Sequence, residues 1–331
     1  MADEELDAEK LQAAAKFVEE SPLCVKTPLI KDAGIFFPTL PTLQSVRTLS
    51  LKLENMQVTG SFKVRGVSNQ LQHLPASVTS GETKLITMSA GNYGKAFAYA
   101  TARLGLQGLV IMPETAPANR VTVIQDLGAK VERCPTSELE PTVTRYVKEQ
   151  GMLYLHSFDD FNLVAGHGSL GIEILADLSP EKPDIVLVCC GGGGLVAGTA
   201  AAIKFCGAPN CRVYAVEPVG ACTMYDSFKM GCPASNSNVK TLAAGLAPPY
   251  AGKITYRLCK QFVEEILLVT DEEIVAAVAA LYNAGLKVEP SGAAAFAALM
   301  AGKVPDFEGK NVVVVLTGGN VTPEELCQLL K

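Results

Sequence analysis

Ile185-Val186-Leu187-Val188-Cys189-Cys190 is an unbroken apolar run that meets Gly191-Gly192-Gly193-Gly194 and then the alanine-rich segment Leu195 to Phe205. A short run without polar alternation suits a strand buried on both faces, and the segment after the glycines has helical length and composition. Strand, tight turn, helix is the unit from which α/β folds are built, and the chain contains further copies of it. Leu85 to Met88 leads through Ser89-Ala90-Gly91-Asn92-Tyr93-Gly94 into a helical Lys95 to Leu104. Gly108 to Met112 precedes a helical Asn119 to Leu127, and Lys130 to Cys134 precedes a helical Leu139 to Gln150. Leu153 to His156 closes that block, and a helical Leu163 to Leu178 follows. Thr48 to Leu53, Arg212 to Val216 and Asn311 to Leu316 read as strands, and Ala8 to Glu20 and Asp271 to Ala284 as helices. The expected class is α/β, with mostly parallel twisted sheets covered by helices. At 331 residues the chain is long enough for two lobes.

Composition narrows the function. Charged residues make up 19% and the formal net charge is −6, with no long basic run and no aromatic-basic stripe, which speaks against nucleic acid and anionic membranes as partners. No apolar run is long enough to span a bilayer. The start Met1-Ala2-Asp3-Glu4-Glu5 is acidic and lacks the basic-then-apolar order of a signal peptide. Ten cysteines are scattered, none in a CxxC pair, which fits buried free thiols in a reducing compartment. A cytoplasmic protein is expected.

Ligands of α/β folds sit beyond the carboxyl ends of the strands. Four turns there stand out: Ser89 to Gly94, Gly191 to Gly194, Glu217 to Ala221, and Thr317-Gly318-Gly319-Asn320. Four consecutive glycines cost much backbone entropy for one turn, so close approach of a ligand is the better reason for them. Their N–H groups, with a helix N-terminus behind, form an anion cradle suited to phosphate. Which phosphate stays open at this point. Gly192-Gly193-Gly194-Leu195-Val196-Ala197 also fits the dinucleotide pattern G-x-G-x-x-A, with Glu217 where a ribose-binding acid would stand. An NAD-dependent dehydrogenase is therefore a rival, although it leaves the Ser89 to Gly94 turn and Lys63 without a task.

Lys63 lies in Thr59-Gly60-Ser61-Phe62-Lys63-Val64-Arg65-Gly66, after a polar turn (Glu54-Asn55-Met56-Gln57) and before a helical Val67 to Leu74. In a first helical turn the unpaired N–H groups and the helix dipole disfavour a further positive charge. A lysine there is a candidate for a lowered pKa, and hence for a nucleophile or base. The alternative is a solvated lysine at a helix start.

Ser61-Phe62-Lys63-Val64-Arg65-Gly66, Ser89 to Gly94, the glycine tetrad, Val288-Glu289-Pro290-Ser291-Gly292 and Leu316-Thr317-Gly318-Gly319-Asn320 occur in one order from about Thr27 to Asn320. In that order they resemble the fold type II pyridoxal-phosphate enzymes, within them the serine/threonine dehydratase and serine racemase family. The resemblance implies a tryptophan synthase beta-like fold, with a large lobe from residues 1–83 and 159–331 and a small mobile lobe from residues 84–158. It implies that Lys63 forms the Schiff base with pyridoxal 5'-phosphate and that Phe62 lies against the ring. Gly191, Gly192, Gly193, Gly194 and Leu195 would hold the phosphate, and Asn92 the ring hydroxyl. Gly245 and Glu289 would stand near the ring, and Thr317 would meet the pyridine nitrogen. Ser89, Ala90, Gly91, Asn92 and Tyr93 would bind the substrate carboxylate. Tyr93 departs from the more usual histidine or alanine and would narrow or repolarise the substrate side.

The activity implied is α,β-elimination: serine to pyruvate, or threonine to 2-oxobutyrate, with ammonia released through an aminoacrylate. A neutral Thr317 hydroxyl limits the electron sink, which suits elimination. Racemisation needs a second acid/base on the far face of the carbanion. Racemases of the family carry a serine there, and this chain has Ala90, whose methyl group transfers no proton. A dehydratase with weak or no serine racemase activity is expected. Glu217-Pro218-Val219-Gly220-Ala221-Cys222-Thr223 looks like the family's divalent-cation loop, with Glu217 and the Ala221 carbonyl as ligands. Thr223 replaces the usual aspartate, leaving a weak set for Mg²⁺ or Ca²⁺. The alternatives for Glu217 are a loop cap and a pairing with a lysine. Asp159-Asp160 reads as a carboxylate pair or a solvated loop, and His167 as a helix-opening residue that lines the cleft between lobes or as a structural one. A homodimer is implied by the resemblance alone. No C-terminal regulatory domain is expected after Lys331, nor feedback through one.

Overall fold

The computed structural model describes residues 5–331, so most of the acidic N-terminal stretch lies outside the described residues. The strands are β1 (Leu29–Ile30), β2 (Thr48–Leu53), β3 (Leu85–Met88), β4 (Gly108–Pro113), β5 (Lys130–Cys134), β6 (Leu153–Tyr154), β7 (Ile185–Cys189), β8 (Arg212–Pro218), β9 (Glu265–Val269) and β10 (Asn311–Leu316). They form two sheets, one of order β1-β2-β10-β7-β8-β9 and one of order β5-β4-β3-β6. Every pairing is parallel except β1 against β2. The α/β class with mostly parallel sheets and helical cover is what the structure contains.

Side-chain alternation along the central strands divides the large sheet's core in two. Ile185, Leu187, Cys189, Val312, Val314 and Leu316 face one cluster, which the helix Pro290–Met300 covers through Ala293 to Leu299. Val186, Val188, Val313 and Val315 face the other, under the helices Phe161–Leu178 and Gly194–Cys206. Complete burial on both faces is why these strands read as unbroken apolar runs. In register, Val312 lies between Leu49 and Ile185, and Ile185 beside Arg212, so the carboxyl ends of β2, β10, β7 and β8 line one rim. Among the described residues no helix is long and apolar enough to cross a membrane.

The helix begins at Lys63, four residues before the expected Val67, and ends at Gln72, two before the expected Leu74. Its seat is ionic. The turn expected to be polar buries Glu54 completely, and Arg65 is 2% exposed beside it. Arg65 donates to both Glu54 oxygens at 2.8 Å and to Glu173 at 2.8 Å. Lys52, also fully buried, bonds Glu173 at 2.6 Å and Asp177 at 2.8 Å, and Lys26 reaches Asp177 at 2.6 Å. Three cations thus meet three carboxylates, which offsets a desolvation cost of several kcal/mol per ion. Burial alone would raise the Glu173 carboxyl, but Arg65 and Lys52 outweigh it and hold it below the ordinary range. Asp177 is lowered in the same way, against its own burial, by Lys26 and Lys52.

Removing one partner strands the others in the interior, so Arg65→Met should cost about 3–5 kcal/mol in denaturant unfolding. Because the folded pKa values of Glu173 and Asp177 are depressed, the stability they contribute is present above the ordinary carboxylate range. It is lost as pH falls through their lowered folded values. Glu173→Gln should accordingly flatten the acid limb of the stability profile below about pH 4, measured by chemical denaturation across pH.

Candidate active site

Lys63 stands where the two sheets meet. Its turn is sewn to the end of β10: Ser61 pairs with Gly318, Phe62 N–H donates to the Thr317 carbonyl at 3.1 Å, and Gly319 N–H to the Gly60 carbonyl at 2.9 Å. From there Lys63 Nζ crosses to the smaller sheet's side and donates to the carbonyl of Ser157 at 2.9 Å. The Phe62 and Tyr93 rings lie 5.2 and 5.6 Å from the ammonium. Desolvation among these groups lowers the Lys63 pKa to about 8. Lys63 is half-buried and bonded to a backbone carbonyl instead of standing free in solvent, and burial is the cause of the lowering.

Ser157 follows β6 in a segment that the sequence reading did not single out. His156 Nδ1 accepts from the N–H groups of Phe158 and Asp159 at 3.2 and 2.9 Å, which shapes this turn. A Cβ on Gly192 would fall 2.2 Å from the Phe158 ring, so the ring lies directly on the tetrad. Ser157 and Phe158 sit beyond a strand's carboxyl end, and that rule could have found them. The Asp159-Asp160 pair is neither a catalytic dyad nor a solvated loop. Asp159 accepts from Lys253, Ile254 and Thr255 N–H at the start of the helix Lys253–Phe262. Asp160 caps the helix Phe161–Leu178 through Leu163 N–H at 2.8 Å.

The tetrad turns from β7 into the helix Gly194–Cys206. Gly193 has φ +89°, and a Cβ there would meet Met224 Cε at 2.6 Å. A Cβ on Gly191 would come 3.0 Å from the Gly245 carbonyl, which places Gly245 beside the tetrad. Gly245 is itself held by its N–H to Ser291 Oγ at 2.8 Å, and the Gly192 carbonyl accepts from Thr255 Oγ1 at 2.7 Å. Leu195 turns its side chain into the core. The helix start therefore offers N–H groups without carbonyl partners of their own helix, on a backbone stripped of side chains.

Across the cleft, Ser89 Oγ accepts from Gly91 and Gly94 N–H at 3.3 and 3.0 Å, so the turn before the helix Asn92–Arg103 is fixed by its own serine. Ala90 is half-buried and packs against the smaller sheet's core. Asn92 Nδ2 donates to Glu289, and Asn92 Oδ1 accepts from Asn320 Nδ2 at 2.8 Å. Burial pushes the Glu289 carboxyl up, against the lowering effect of Asn92. Tyr93 is 2% exposed and its hydroxyl donates to Gln70 Oε1 at 2.6 Å, so what it presents to Lys63 is ring, with the polar end turned into the core. Thr317 directly follows β10 and is 3% exposed.

The divalent-cation expectation finds no support in this geometry. Glu217 is buried within β8, and its two oxygens accept from Met224 and Tyr225 N–H at 3.0 and 2.8 Å. It caps the helix Thr223–Met230, and burial pushes it up to about 8. Ala221 is 1% exposed, and among the described residues no group of three or more His, Cys, Asp or Glu is placed to hold a metal. His167 is fully buried, edge-on to Phe62 with ring centres 4.9 Å apart.

An amine of lowered pKa, a bare helix N-terminus and an amide network thus come together where the strand ends of the two sheets meet. A phosphorylated aromatic aldehyde fits them, since they can bond its carbonyl carbon, cradle its phosphate and meet its ring hydroxyl. A family model described as "Pyridoxal-phosphate dependent enzyme" matches residues 21–318. The chain is 36% identical over 323 residues to the catabolic L-threonine dehydratase TdcB of Staphylococcus aureus, covering 95% of this chain and 88% of that protein. Its structure resembles the processed form of threonine deaminase isoform 2 from Solanum lycopersicum with a TM-score of 0.86 at 30% identity, over 98% of this chain and 93% of the other. Serine racemase from Dictyostelium discoideum matches with a TM-score of 0.83 at 29% identity, over 96% and 99%. By sequence and by fold, this chain belongs to the pyridoxal-phosphate dependent enzymes.

Proposed function

We propose that the chain is a pyridoxal-phosphate-dependent ammonia-lyase that converts L-serine or L-threonine to pyruvate or 2-oxobutyrate and ammonia. The observation that carries this reading is Lys63, a desolvated amine at the meeting of the two sheets, held by a carbonyl instead of a carboxylate. The similarity to the S. aureus threonine dehydratase supports the same class of reaction.

When bound, the cofactor supplies the electron sink for bonds to the substrate's Cα. Lys63 would hold it covalently and, once released as a free amine, would take the Cα proton. A lysine does this near neutral pH only with a lowered pKa. Gly191 to Gly194 and the Leu195 N–H would cradle its phosphate, and Asn92 its ring hydroxyl. Phe62 and Gly245 would lie against the ring, Glu289 beside it, and Thr317 at the pyridine nitrogen. Ser89 to Tyr93 would hold the substrate carboxylate, with Ala90 leaving the far face of Cα without a proton donor. In this reading residues 84–158 form a small lobe that closes on the rest of the chain and sheds water from the cleft. The enzyme would be a homodimer, as the family resemblance implies, and cytoplasmic, in keeping with its ten free cysteines.

Three measurements test this. Coupled keto-acid detection on a β-hydroxy amino acid panel should show release from serine or threonine and none with Lys63→Ala; wild-type protein inert on the whole panel would refute the assignment. Chiral analysis should find little D-serine from the wild type and more, by at least tenfold, from Ala90→Ser; rapid D-serine formation by the wild type would make it a racemase. The rate at which apoprotein captures pyridoxal phosphate should rise with pH to a midpoint near 8, as Lys63 loses its proton. A midpoint near that of free lysine, about 10.4, would show that the amine is not desolvated.

A further inference from the structure

Asn320 has no role in the reading above, yet it joins both sides of the cleft. Its Oδ1 accepts from Lys95 Nζ at 2.7 Å, and its Nδ2 donates to the Thr59 carbonyl at 3.0 Å and to Asn92 Oδ1 at 2.8 Å. The chemistry of these partners leaves the amide no choice. A lysine ammonium has only donors and a backbone carbonyl only accepts, so the Asn320 oxygen must face Lys95 and its nitrogen must face Thr59. Both Asn320 N–H groups are then used, and the second of them requires an oxygen from Asn92. Asn92 consequently turns its own nitrogen away, toward Glu289. One N–H of that nitrogen meets Glu289 and the other is left for the cleft.

Two glycines keep the space for this chain of amides. A Cβ on Gly60, which has φ +75°, would fall 2.4 Å from Asn320 Oδ1. A Cβ on Gly318 would fall 2.4 Å from Glu289 Oε1 and 3.2 Å from Asn92 Nδ2. Thr59, Gly60, Gly318 and Asn320 come from the Lys63 turn and the end of β10, whereas Asn92 and Lys95 come from the helix on the smaller sheet.

We infer that Asn320, locked by Lys95 and the Thr59 carbonyl, is a positioning residue that fixes the Asn92 amide with its N–H toward the cofactor's ring hydroxyl. This rests on the reading that Asn92 meets that hydroxyl. Without the lock, Asn92 can present its oxygen instead, which repels a phenolate and withdraws the donor from it.

The test uses holoenzyme variants, read by the absorption spectrum and by cofactor retention in equilibrium dialysis. Asn320→Asp keeps the shape and gives Lys95 a charged partner, but its carboxylate cannot donate to Asn92. It should shift the visible band toward the near ultraviolet and weaken cofactor binding by about 10- to 100-fold, the scale of one hydrogen bond to a charged group. Asn92→Asp should give the same signature, and the double variant should be no worse than either alone. Lys95→Met should shift the band in the same direction to a smaller extent and serves if Asn320→Asp does not fold; Lys95→Arg should restore it. A merely structural role would lower the unfolding midpoint and leave the spectrum of the folded holoenzyme unchanged, and that result overturns the inference. If Asn92→Asp is itself spectrally silent, the reading of Asn92 fails and the inference fails with it. If Asn92→Asp is altered while Asn320→Asp and Lys95→Met are silent, only the inference fails.

Discussion

Arg65 and its two carboxylates, Glu54 and Glu173, are the contact on which the rest of the site depends. They tie the Lys63 helix to the turn after β2 and to the helix Phe161–Leu178, deep in the protein and away from water. An unpaired buried charge is so costly that the helix cannot shift without losing several kcal/mol. Two residues earlier the same helix begins with Lys63, which receives the Ser157 carbonyl and two aromatic rings instead. The contrast decides the chemistry. Both groups are desolvated, but carboxylates raise the Arg65 pKa whereas Lys63 is lowered. One cation is a fixed anchor and its neighbour is an amine that can lose its proton.

The cleft is assembled from rims. β2, β7, β8 and β10 end together, so the Lys63 turn, the tetrad and Thr317 become neighbours although they are far apart in sequence. The segment His156 to Asp159 then ties the smaller sheet to this rim at three points: Ser157 to Lys63, Phe158 to Gly192, and Asp159 to the helix that seats Thr255. Asn92 and Lys95 make the matching connection on the other side, to Asn320. The Lys63 helix also packs on the smaller sheet through an apolar core, in which Val64, Val67 and Leu71 meet Tyr93, Ala96 and Phe97.

Much of this was legible in the sequence because burial on both faces writes itself as unbroken apolar runs. β7 and β10 lie where those runs do, and the more polar β2 and β5 begin and end at the residues that their flanking turns indicate. β1, two residues long, and β9, which opens on exposed Glu265 beside the acidic helix start at Asp271, left no comparable signal. Motifs named the Lys63, tetrad and Asn92 turns, since glycine and lysine at strand ends have few other reasons to be there. What stayed hidden depends on tertiary partners. Glu54 looks like any polar turn residue until Arg65 is found beside it, and Glu217 looks like a ligand until two backbone N–H groups claim its oxygens. Ser157 contributes only a carbonyl, which every residue has, so only its place beyond the end of β6 could have pointed to it.

The central claim is that Lys63 is the amine that bonds the cofactor. Borohydride reduction of the holoenzyme followed by peptide mapping tests it most directly. The account predicts one phosphopyridoxyl group per chain, on the peptide containing Lys63. The label on Lys95, on another lysine or on none would contradict it.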